Sequence, residues 1–84
     1  MTSDFSDEQV GSIILQIFKQ FHTPADGVEQ RNLFYNNIEN HKPALVGDID
    51  RGMIFLEKQG FISKHGPNTV ILTPSGFDFI KENL

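Results

Sequence analysis

Leu72-Thr73-Pro74-Ser75-Gly76 constrains this chain more than any other stretch. Thr73 offers the side-chain oxygen of a helix N-cap and Pro74 the preset φ of a first helical residue, so the apolar run before them is a strand that passes straight into a capped helix. A second corner lies upstream in Phe55-Leu56-Glu57-Lys58-Gln59-Gly60-Phe61-Ile62, where Gly60 breaks a helix and an apolar strand begins at once. Between the two corners, Gly66-Pro67-Asn68 supplies the turn geometries of a short hairpin, with strands predicted over residues 61–65 and 69–73. The order helix, strand, turn, strand, helix follows. After the second strand, Phe77, Ile80 and Leu84 give a short closing helix its apolar stripe.

The first half reads as helices. Ser6 is an N-cap with Gln9 three residues on to complete a capping box, and Asp7 and Glu8 favour the positive helix end. Val10, Ile13, Ile14, Ile17, Phe18 and Phe21 then follow helical spacing, which predicts a first helix over residues 7–21. His22-Thr23-Pro24-Ala25-Asp26-Gly27 is dense in turn formers and reads as a loop. A second helix is predicted over residues 29–40, with Phe34, Tyr35 and Ile38 inward. A third ends at Gln59 or Gly60. Its start is open, because Pro43 suits a first helical turn and Gly47-Asp48 offers a competing one. Leu45, Ile49, Gly52, Met53 and Leu56 gather on its core face, with Gly52 permitting close approach of a neighbouring helix.

Residues 1–84 allow one domain with one modest core, burying roughly 60% of the unfolded surface. Cysteine is absent, which removes disulfides and thiolate metal sites. Asp4, Asp7 and Glu8 stand where a secretory signal would carry basic residues, and the apolar runs are far shorter than a membrane span. A soluble, cytoplasmic protein is the expectation. His22, His41 and His65 lie on separate connectors without ligand spacing, so no metal or other cofactor is expected. No nucleophile–base pattern, paired carboxylate or phosphate-cradling glycine loop is present, and the expected protein is not an enzyme.

From about residue 44 to residue 81 the chain resembles the second half of winged helix-turn-helix regulators of the MarR and PadR kind. The resemblance rests on Leu56-Glu57-Lys58-Gln59-Gly60-Phe61-Ile62 at the end of a recognition helix and on Leu72-Thr73-Pro74-Ser75-Gly76 at the end of a wing. It implies a small α+β winged helix: a three-helix core, a two-stranded wing and a short C-terminal helix. It also implies DNA binding by a transcriptional regulator, with the third helix in the major groove and the wing on the backbone or minor groove. Two-fold pairing through the first and last helices is the matching expectation, since a single small module has little contact area.

On that analogy the candidate DNA contacts are Lys42, Arg51 and Lys58 around the third helix and Lys64 and His65 on the wing. The net charge of −4 opposes this, so the few cations must cluster. Asp48 and Asp50 flank the presumed recognition face, and Arg51 has the alternative of pairing with Asp48 or another carboxylate. Lys64 and His65 have the alternative of blunting an edge strand. Ile54 and Phe55 stand where such regulators carry polar residues. They either pack beneath the wing or against the second helix, or form a patch for a protein partner that replaces DNA altogether.

Overall fold

The computed structural model describes residues 5–84, and Asp4 of the acidic start lies outside them. Helix α1 (Asp7–Gln20) opens on the predicted capping box: the Gln9 N–H donates to Ser6 Oγ at 3.1 Å and the Ser6 N–H to Gln9 Oε1 at 2.8 Å. Val10, Ile14, Ile17 and Phe18 are buried as their spacing requires, and Gly11 and Leu15 widen the buried stripe. Phe21, placed by periodicity on that stripe, caps the helix instead and is 44% exposed, because His22 turns the chain away at a φ of 55°.

A strand that the sequence does not announce lies between the predicted loop and the second helix. Residues of β1 (Val28–Gln30) pair antiparallel with β3 (Thr69–Leu72), Val28 opposite Ile71 and Gln30 opposite Thr69. The other edge of β3 carries β2 (Ile62–Lys64), giving the sheet order β1-β3-β2. With β1 taking Glu29 and Gln30, helix α2 (Arg31–His41) starts two residues later than the helical pattern suggests. The Arg31 N–H donates to the Asn68 carbonyl at 2.8 Å, which ties the start of α2 to the hairpin turn.

Both competing starts of the third helix are used. Pro43 opens a 3₁₀ segment (Pro43–Asp48), and the α-helical geometry of α3 (Ile49–Lys58) begins after Gly47-Asp48. Leu45, Ile49, Gly52, Met53 and Leu56 are all buried. Past the C-cap, Gly60 takes a φ of 79°, a left-handed conformation that ends helices at little steric expense for glycine. Helix α4 (Pro74–Asn83) is capped by Thr73, whose Oγ1 accepts from the Gly76 N–H at 3.1 Å and donates to the Gly60 carbonyl at 2.6 Å. One hydroxyl therefore joins both sequence corners.

The architecture is α+β, with helices packed on a three-stranded antiparallel sheet around one core. Among the described residues no helix is long and apolar enough to cross a membrane. The tightest helix contact is α1 on α3: a Cβ at Gly52 would lie 2.5 Å from Val10 Cγ1 and 3.0 Å from Ile14 Cδ1. Gly52→Ala is accordingly expected to destabilise the domain by about 1–3 kcal/mol in urea unfolding, despite alanine's better helix propensity. Unchanged or raised stability would mean that the two helices can part freely.

Candidate nucleic-acid interface

Helix α3 presents three different sides to its surroundings. Its core side packs on α1. Asp50 lies on the side toward α2, where its carboxylate pairs with the Arg31 guanidinium and accepts from the Tyr35 hydroxyl at 2.7 Å. Tyr35 Oη in turn accepts from Arg31 Nη2 at 2.7 Å, and the guanidinium carbon sits 4.7 Å from the Tyr35 ring centre. Arg31 and Tyr35 are one helical turn apart, so α2 delivers both groups to Asp50 from a single face.

Arg51 lies toward the start of α1. Its guanidinium pairs with Asp7, donates to the Phe5 carbonyl at 2.7 Å and reaches Asp48 at 3.2 Å. The hydrogen bond that its guanidinium donates to Asp7 is the main reason its pKa rises above the ordinary arginine value, and Asp48 adds to the rise. The sequence offers Arg51 as a base or phosphate contact, or as a partner of Asp48. It lies with Asp48 and with two further groups far away in the chain, and its donors bind the α1 start to the α3 start.

Asp48 and Asp50 are thus each paired with an arginine, Arg51 being shared with Asp7. Lys58, exposed at the end of α3, and Lys64, exposed on β2, make no ion pair among the described residues. His65 is exposed where β2 enters the turn. Lys42 is not grouped with them: it lines a separate cavity of about 250 Å³ with His41, Gln16 and Gln20, between α1 and the end of α2. Ile54 is 45% exposed. Phe55 is half-buried and packs on α1, its ring reaching within 3.0 Å of where a Cβ on Gly11 would be. The suggested apolar pair is therefore split, leaving Ile54 alone outward.

Arg31 is the member of this surface that sequence reasoning missed. Its one local signal is the i, i+4 spacing to Tyr35. Arg31 and Lys64 wall a cavity of about 220 Å³ between the start of α2, α3 and the hairpin, with Met53 and Val70 at its base and Thr69 and Gly66 on its rim. Lys64 reaches it because it is paired with Val70, and directly opposed residues share a face of the sheet. Elsewhere, Phe77, Ile80 and Leu84 of the α4 end line a groove of about 390 Å³ against Lys19 and His22 at the α1 end. Among the described residues no group of three or more His, Cys, Asp or Glu side chains is arranged to hold a metal ion.

The chain matches no family model, no curated protein and no solved structure.

Proposed function

We propose that this chain is a winged helix, with α2, the 3₁₀ segment and α3 as its helix-turn-helix and the β2–β3 hairpin as its wing, and that it acts as a small DNA-binding transcriptional regulator. The observation that carries the reading is electrostatic. Asp48 and Asp50 are each paired with an arginine, Arg51 being shared between Asp48 and Asp7, whereas Lys58 and Lys64 on α3 and the hairpin make no ion pair among the described residues of a chain whose net charge is −4. Local potential, not the total, governs attraction of a phosphate backbone. The groove between the ends of α1 and α4 suits pairing of two copies, which would supply the contact area a single module lacks.

The test is fluorescence anisotropy with random-sequence duplex DNA at about 50 mM and about 200 mM salt. Binding is expected to weaken with salt, and the slope of log affinity against log salt to fall by about one for Lys58→Ala and again by about one for Lys64→Ala. Arg51→Ala is expected to leave that slope unchanged, because its guanidinium is committed to Asp7, Asp48 and the Phe5 carbonyl. Equal slopes for all variants would count against the proposal.

Exposure of Ile54 on the outward side of α3 favours a second reading, a protein-docking module that does not touch DNA. Absence of duplex binding even at the lower salt would select it.

A further inference from the structure

The cavity between the start of α2, α3 and the hairpin combines features that the contacts of α3 alone do not explain. Its two cationic walls come from different elements, Arg31 from α2 and Lys64 from β2. Each is fixed by backbone: Arg31 by its N–H bond to Asn68, Lys64 by its register with Val70. The base is apolar, with Met53 and Val70 almost fully buried, so an ion held there faces less competing water than on an open surface. Of the Arg31 guanidinium only Nη2 is engaged, by Asp50 and Tyr35; Nη1 and Nε make no hydrogen bond among the described residues. A planar fork with open donors and an ammonium lining one cavity make a donor set for a tetrahedral oxyanion.

We infer that this cavity is a seat for one phosphate group, held by Arg31 and Lys64, and that Asp50 is its built-in competitor. The Asp50 carboxylate occupies Arg31 in the free protein. Its side chain is 60% exposed and that of Arg31 31%, so the pair is of the weak, solvent-screened kind that an arriving phosphate can displace. Tyr35 keeps the guanidinium oriented during the exchange, through the hydroxyl bond and the ring contact. Asp50, which looks from the sequence like an obstacle to binding, thereby sets how strongly phosphate is taken. The source of the phosphate, a duplex backbone, rests on the DNA reading above; the seat itself does not.

Two measurements separate these claims. In duplex anisotropy, Arg31→Gln and Lys64→Ala are each expected to lower the salt slope by about one. Asp50→Asn is expected to tighten binding by about two- to fivefold, the worth of an exposed pair, and to lose that gain in an Arg31→Gln background beyond what the control Glu57→Gln gives. In the second measurement, inorganic phosphate is titrated into ¹⁵N-labelled protein. Amide shifts are expected at Arg31 and across residues 64–69, saturating at lower phosphate in Asp50→Asn and absent in Arg31→Gln. Melting curves of each variant establish that it is folded.

Phosphate shifts at these amides without duplex binding would uphold the seat, overturn the DNA reading and assign the seat to free phosphate or a phosphomonoester. Salt-dependent duplex binding that ignores Arg31 and Asp50, with no phosphate shifts there, would uphold DNA binding and overturn the seat. Neither signal would overturn both.

Discussion

Gly76→Ala is expected to lower the stability of this domain by about 3 kcal/mol or more, although alanine is the better helix former by up to about 1 kcal/mol. Gly76 is in the first turn of α4, and a Cβ there would run into the carbonyl oxygen of Phe61 and come within 2.8 Å of Leu72 Cδ1. The Phe61 oxygen cannot retreat cheaply, because it accepts the Thr73 N–H at 3.1 Å, and Thr73 is itself bonded to Gly60 and Gly76 through its hydroxyl. Relief requires α4 to lift from the corner, which breaks the cap and loosens the hairpin that carries Lys64. Gly47→Ala is the control: nothing lies within 4 Å of the added carbon, and it is expected to be neutral or to stabilise by up to about 1 kcal/mol through the unfolded chain. Thermal melts of the two variants test the argument. At about 4–8 °C per kcal/mol for a domain of this size, Gly76→Ala should melt more than 10 °C below the parent. A melting point within a few degrees of the parent would show that the corner is not closed.

That glycine also marks the limit of what the sequence discloses. Thr73-Pro74 identifies a cap from local chemistry alone, and the cap is present. The need for glycine three residues after Thr73 comes from a carbonyl in the preceding corner, which no local rule can see. The same division runs through the fold. Helical spacing found the buried faces of α1 and α3 because each repeats an apolar residue every turn, and it found Gly52 as a close approach. It missed β1, whose three residues alternate exposed, half-buried, exposed and exist as a strand only because β3 has a free edge. It also let helix α2 begin at Glu29, a residue the sheet claims.

The candidate site divides similarly. Lys58, Lys64 and His65 are legible as contact candidates on the end of a helix and on a hairpin. Their separation from Lys42 is not, because the register of α2 and the 3₁₀ segment turns Lys42 toward α1. Asp48 is the one partner of Arg51 within local reach. Asp7 and the Phe5 carbonyl are 44 and 46 residues away, and Asp50 is 19 residues from Arg31. Ion pairs at such separations are products of the fold. They change the apparent meaning of the acidic residues near α3, from free repulsion of a phosphate backbone to carboxylates each paired with an arginine.

The helix that positions Arg31 depends on one aromatic side chain, and Phe34→Ala is expected to be the other highly damaging substitution, at about 3–5 kcal/mol. Phe34 is fully buried, and its ring centre lies 4.7 Å from that of Phe18 at an interplanar angle of 54°, a tilted geometry that adds to the area it buries. Phe34 and Ile38 are the two fully buried side chains of α2, with Leu33 and Tyr35 partly buried against the core, so truncating Phe34 removes the larger of its two main anchors and opens a cavity against α1. Against a total of about 5–10 kcal/mol for a domain of this length, that loss leaves a marginal fold. Phe34→Leu fills most of the volume and is expected to lose much less, about 1–1.5 kcal/mol. Urea unfolding with both variants gives the comparison, and a loss below about 1 kcal/mol for Phe34→Ala would place α2 outside the cooperative core. The functional consequence is separable from the stability one. Phe34→Leu, folded at low temperature, should keep the full salt slope of DNA binding, because Arg31 and Tyr35 remain one turn apart on an anchored helix. Phe34→Ala, measured where it is still folded, should lose the part of the slope that depends on Arg31 while keeping the part that depends on Lys58, whose helix is held separately by Ile49, Met53 and Leu56.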